Sequence, residues 1–151
     1  MPKPVFGFEK PEDSPGFLLW QTTITWQRLI KKALDPYQIS HAQFVILAVT
    51  LWFENQGQTV SQSLIIRWSK LDKMTVSQAL KKLVKEAYVK RTEHSEDPRA
   101  KSVHLTKKGK TIAATLVPII EKIDEQFFDP LQKTERHSLI SLLNILISNT
   151  L

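Results

Sequence analysis

From residue 14 onward the apolar positions recur at helical spacing in six blocks, and a stretch of strict alternation separates the fourth block from the fifth. Residues 1–13 hold three prolines and no periodicity, and read as a flexible arm. Ser14-Pro15 gives a helix start, an acceptor side chain at the N-cap followed by Pro in the first helical position. This helix runs to about Leu34, where Asp35-Pro36 stops it. Its apolar residues (Phe17, Leu19, Trp20, Ile24, Trp26, Leu29 and Ile30) spread over more than one face, as in a helix covered on several sides. Ser40-His41-Ala42-Gln43 fits a capping box. The helix it opens carries Phe44, Leu47, Ala48, Leu51 and Trp52, and Gly57 supplies a left-handed residue at its end. Ser61 can cap a third helix, about Gln62 to Lys70, with Leu64, Ile65 and Trp68 at core spacing.

The fourth helix, capped by Asp72, is the most informative. At 100° per residue Val76, Ala79, Leu80, Leu83 and Val84 share one face. Gln78, Lys81, Lys82 and Lys85 lie opposite, flanked by Thr75 and Ser77, and Met74 points outward. One face can pack on the domain while the other meets DNA: Gln can pair with an adenine edge, Lys with guanine or phosphate, Ser or Thr with either. Taken alone, the same pattern also describes a solvated amphipathic helix.

The residues beyond this helix narrow the choice. Tyr88–Thr92 and Lys101–Leu105 alternate like two strands of a hairpin, and the segment between them contains Pro98, which keeps it out of regular structure. Arg99 and Lys101 project from this tip. Thr106 can cap the fifth helix, with Gly109 tolerated in its first turn. That helix carries a long stripe, Leu116, Ile119, Ile120, Ile123 and Phe127, with Pro118 inside it as a bend. Asp129-Pro130 breaks the chain and Thr134 caps a last helix, whose Leu139, Ile140, Leu142, Leu143, Ile145, Leu146 and Ile147 leave it oily nearly all round. Both ends therefore supply helices too apolar for a monomer surface, which predicts one dimerisation region.

Composition and charge sharpen this. The 151 residues fit one compact domain or a small domain plus an oligomerisation arm. No apolar run approaches membrane-spanning length, and the first residues lack an apolar leader, which predicts a cytoplasmic protein with no membrane partner. There is no cysteine, so disulfides, thiol catalysis and cysteine zinc sites are excluded. Residues 59–110 hold 13 Lys/Arg against 5 Asp/Glu, a net +8, while the remainder holds 8 against 10, a net −2. A basic middle third is the electrostatic footprint of a polyanion binder. His41, His94, His104 and His137 show no paired ligand spacing, so no metal is expected. No phosphate-cradling glycine loop, nucleophile elbow or acid pair is present, so neither an enzyme nor a cofactor is expected.

A helix-turn-helix followed by a β-hairpin wing, with apolar helices at both ends, resembles the MarR family of bacterial transcriptional regulators. The resemblance covers nearly the whole chain from Ser14. Its most specific part is Asp97-Pro98-Arg99-Ala100-Lys101-Ser102-Val103-His104-Leu105-Thr106 with Gly109 shortly after, which is similar to the family's wing signature. The resemblance implies a mainly α fold with a small β-hairpin wing, a winged helix-turn-helix between N- and C-terminal dimerisation helices. It divides the chain into an arm (1–13), N-terminal dimerisation and support helices (14–58), a DNA-binding domain (59–106) and C-terminal dimerisation helices (107–151). It implies that Arg99 enters the minor groove and that Asp97 holds it there. The candidate DNA contacts are Ser61, Lys73, Thr75, Ser77, Gln78, Lys81, Lys82, Arg91, Asp97, Arg99 and Lys101. The implied partners are double-stranded DNA, a second copy of the chain, and a small aromatic or anionic effector. Trp20, Trp26, Arg28, His41 and Trp52 lie in the helices that would line an effector pocket, with no ligand residue assigned. The implied function is a homodimeric regulator, a repressor, on a pseudo-palindromic operator. The alternative is a winged-helix adaptor whose basic face docks an acidic protein. One position departs from the family: Ala87 stands where a Gly usually follows the recognition helix, at a cost of about 1 kcal/mol if it is left-handed.

Overall fold

The computed structural model describes residues 4–92 and 101–149. Helix α1 spans Pro15–Leu34, α2 His41–Asn55, α3 Gln62–Ser69, α4 Lys73–Lys85, α5 Lys107–Phe128 and α6 Lys133–Ser148. Three short strands, β1 (Val60–Ser61), β2 (Val89–Arg91) and β3 (Ser102–Leu105), form an antiparallel sheet in the order β1-β3-β2. A short 3₁₀ turn, Pro11–Asp13, precedes α1. The fold is mainly α with a small sheet. The sequence predicts only the hairpin β2–β3; β1 is the unforeseen third strand. Two residues carry no alternation to read, and β1 exists only through pairing of Val60 with Val103 and Ser61 with Ser102.

The helix starts follow side-chain chemistry. Ser14, Ser40, Ser61, Asp72 and Thr106 accept from the backbone N–H of Phe17, Gln43, Leu64, Thr75 and Gly109 respectively. The capping box is complete, because Gln43 Oε1 accepts from Ser40 N at 3.0 Å. At α6 the expectation fails by two residues. Gln132 is the N-cap, Glu135 Oε1 accepts from its N–H at 2.9 Å, and Thr134 lies within the first turn. The Glu three residues after Gln132 decides the start.

The core gathers around α2, α4 and α5. Ile46, Leu47, Ile65, Val76, Leu80 and Leu116 are fully enclosed, with Val103 of the sheet and Ile30 and Leu34 at the end of α1. Glu54 Oε1 accepts from Leu105 N at 2.9 Å and ties α2 to β3. Trp68, which its spacing puts in the core, is 59% exposed, and Trp52 on α2 is 65% exposed. Each belongs to an element whose other apolar residues already fill the interior. Gly109 is more than tolerated. A Cβ there would run into Tyr88 O, so the first turn of α5 lies directly on the strand entry. Ala87 is left-handed, at φ 62°, and so carries the strain that Gly would relieve. Among the described residues no helix is long and apolar enough to cross a membrane.

Candidate nucleic-acid interface

Helix α4 divides as its sequence predicts. Val76, Ala79, Leu80 and Leu83 are buried, while Gln78, Lys81, Lys82 and Lys85 are exposed. Val84 sits at the margin, 37% exposed rather than in the core. Met74 is 70% exposed, on the outward side of the helix. Lys73 is exposed at the head of the helix, and Thr75 and Ser77 are half-buried on its flanks. The Thr75 hydroxyl donates to Asp72 Oδ2 at 2.7 Å while its N–H donates to Oδ1 at 2.8 Å. These bonds, the backbone one first, hold the Asp72 carboxyl below its ordinary range. The N-terminal turn of α4 is thus pinned, and the Thr75 hydroxyl keeps its lone pairs for an incoming donor.

Ser61, Arg91 and Lys101 come together at one end of the sheet. Ser61 pairs with Ser102, Arg91 with Val103, and Lys101 O accepts from Gln62 N at 3.1 Å. The Ser61 hydroxyl is committed to capping α3, at 3.0 Å from Leu64 N. Thr92 and Ser102 close the neck of the hairpin: Thr92 N donates to Ser102 O at 3.1 Å, and Ser102 N donates to Thr92 Oγ1 at 2.9 Å. Asp97 and Arg99 lie outside the described residues.

A second cluster joins the outer helices to this unit. Trp26 Nε1 of α1 donates to Asp124 Oδ1 of α5 at 2.7 Å, and the His41 ring meets the Trp26 ring edge-on with centroids 5.2 Å apart. Burial lowers the His41 pKa from its ordinary 6.5, and the Asp124 charge opposes that shift. Asp124 is a residue that sequence reasoning misses. The available signal is its place four residues after Ile120, an acid on the apolar stripe of α5. Beside His41 a cleft of about 490 Å³ opens between the end of α1 and α4, where Lys31, Asp35 and Lys82 supply its charged groups. Of the other aromatic or cationic residues expected near an effector, Trp20 and Arg28 are exposed on α1 and Trp52 on α2, away from this cleft.

Among the described residues no element covers the exposed apolar face of α6. All of Ile140, Leu142, Leu143, Ile145, Leu146 and Ile147 are exposed, and no residue of this helix is buried. With α5 it encloses an open cleft of about 800 Å³, floored by Phe128, Leu139, Ile140 and Leu143. The N-terminal half of α1 is alike, with Phe17, Leu18, Leu19 and Trp20 exposed.

Residues 35–122 match the family described as "ArnR1-like, winged-helix domain". The chain is 38% identical over 128 residues to the HTH-type transcriptional regulator YdcH of Bacillus subtilis (strain 168), covering 85% of this chain and 87% of that protein. Two crystal structures share the fold. CouR from Rhodococcus jostii bound to p-coumaroyl-CoA superposes with a TM-score of 0.81 at 19% identity, covering 95% of this chain and 99% of that one. A MarR variant from E. coli complexed with operator DNA superposes with a TM-score of 0.72 at 22% identity, covering 87% and 91%.

Proposed function

The chain belongs to the ArnR1-like winged-helix family, with HTH-type transcriptional regulators as relatives, and on that premise we propose that it is a MarR-type homodimeric repressor of a pseudo-palindromic operator. The observation that carries this reading is the exposed face of α4, where Gln78, Lys81 and Lys82 stand opposite the buried Val76, Ala79, Leu80 and Leu83. In the proposal α4 enters the major groove, Gln78 reads a base edge, and Lys73, Lys81 and Lys82 hold base edges or phosphates, with Thr75 and Ser77 beside them. Ser61, Arg91 and Lys101 contact the backbone at the sheet end. Arg99, oriented by Asp97, enters the minor groove. Residues 59–106 form the DNA-binding unit, and the apolar faces of 14–58 and 107–151 join two copies. A two-fold dimer then sets half-sites about one helical turn apart.

The effector is a small aromatic or anionic molecule held beside Trp26 and His41, where Lys82 offers a cation and Lys31 is paired with Asp35 at 3.0 Å. A ligand bridging α1 and α4 there would favour one setting of α4, and it releases DNA to the extent that it binds the DNA-free setting better.

The test is selection of duplexes from a random pool, followed by fluorescence anisotropy across a salt series. The expected result is a palindromic winner bound at least about a thousandfold better than random duplex, with a steep salt slope. Salt-sensitive binding without sequence preference would replace this reading with the adaptor, a basic face that docks an acidic protein.

A further inference from the structure

The end of the recognition helix is held by the start of α5. An α-helix leaves its last carbonyls without partners inside the helix. Beyond α4, three consecutive carbonyls find theirs in residues 106–108. Glu86 O accepts from Lys108 Nζ at 2.8 Å, Ala87 O from Thr106 Oγ1 at 2.6 Å, and Tyr88 O from Thr106 N at 3.0 Å. The Lys108 ammonium also lies 4.7 Å from the centroid of the Tyr88 ring, within cation–π range. Gly109 lets the two backbones touch, since a Cβ there would meet Tyr88 O. The left-handed Ala87 sits at the middle of this joint.

We propose that Lys108 is a positioning residue for DNA reading. With Thr106 it fixes the angle of α4 on α5, and thereby the half-site spacing that the dimer accepts. The proposal rests on the DNA-reading role proposed above. The reasoning is geometric. Thr106 and Gly109 are half-buried or buried and belong to the fold, whereas Lys108 is an exposed side chain that reaches back across the joint to a carbonyl and a ring. A carbonyl of the turn and a ring of the strand entry are thus tied to one ammonium. About 24 Å further along α5, by helical rise, Asp124 bonds Trp26 of α1. One helix therefore connects the joint under α4 to the outer helices, and an angular error at the joint becomes an error in the separation of two recognition helices. A lysine that only met phosphate would add affinity on every sequence and every spacing.

Two variants separate these roles. Lys108→Met keeps the aliphatic stem and removes the donor; Lys108→Arg keeps a charged donor. Without DNA, amide hydrogen exchange is followed by mass spectrometry in the parent and both variants. Exchange over residues 74–88 is expected to quicken by about tenfold in Lys108→Met, with the rest of the chain unchanged and Arg restoring the parent rate. With DNA, the selected operator is compared with duplexes whose half-sites stand one base pair closer or farther apart. Lys108→Met is expected to flatten the preference for the native spacing by about tenfold at an unchanged salt slope, again with rescue by Arg. Unchanged exchange over 74–88 overturns the proposal. So does an equal loss on all spacings with a salt slope reduced by about one, the sign of a plain phosphate contact. Should the parent select no duplex at all, the regulator reading fails on that result alone, while the exchange rates still decide whether Lys108 holds the joint.

Discussion

Helices α4 and α6 are both rich in apolar residues, and they meet opposite fates. In α4 the apolar residues keep to one face, and four of them, Val76, Ala79, Leu80 and Leu83, are buried. In α6 they cover nearly the whole circumference, and none is buried. The width of the stripe, not the apolar content, separates the two. A narrow stripe can be satisfied by one layer of the helix's own domain, and its polar remainder is free for another molecule. A helix apolar all round needs cover on several sides, which a chain of 151 residues has already spent on its winged-helix core. In the function proposed above, the two helices divide recognition between them, α4 for DNA and α6 for a second copy.

That contrast can be broken most forcefully at α6. Ile145→Glu combined with Leu146→Glu should halve the mass in sedimentation and lower operator affinity by about a thousandfold or more, to the level of random duplex. Circular dichroism should show the winged-helix unit still folded. A variant that remained dimeric would move the interface elsewhere. In α4 the effect should fall on folding instead. Leu80→Ala removes a fully enclosed side chain and should cost about 2–5 kcal/mol in chemical denaturation. Next comes Gly109→Ala at the joint between the two regions. The added methyl meets Tyr88 O, so a loss of about 1–3 kcal/mol is expected in the same assay.

His41 sharpens the comparison through pH. Its pKa is lowered by burial against the pull of Asp124, and the charged groups of the adjoining cleft are Lys31, Asp35 and Lys82. The unfolded chain takes up a proton at about 6.5 before the folded one does. Stability from this group is therefore complete above that pH and declines as pH falls below it. His41→Gln should flatten the decline between pH 7 and pH 5 in thermal melts, and an unaltered profile would assign it to other groups. The smallest effect belongs to Ala87→Gly. The entropy of Gly offsets the relief of the left-handed strain only in part, and the gain should be under about 1 kcal/mol.

Much of the fold is legible in the residues. The caps at Ser14, Ser40, Ser61, Asp72 and Thr106 are local chemistry, and all five appear where the sequence puts them. The α4 wheel reads correctly because a 13-residue amphipathic helix carries its own periodicity. The features that escape such reading depend on partners distant in the chain. Strand β1 is two residues long and is created by Val103 and Ser102. Trp68 looks like core by spacing, yet α3 already fills its place with Ile65, and the indole turns outward beside Phe53. The candidate site divides in the same way. Its α4 half is visible as a face, but nothing local shows that Lys108 reaches back 22 residues to Glu86, or that Asp124 meets Trp26 across 98 positions.

The hydrogen-bonded neck of the hairpin has a consequence for how such a protein diversifies. Thr92 and Ser102 hold each other by backbone and side chain, and the core is complete beneath them. A clamp at this point holds β2 and β3 in register from their own residues, so that the buried Val89, Val103 and Leu105 stay in step. A lineage that keeps the neck therefore keeps the strand pairing on which, in the proposed function, the placing of the α4 reading head depends.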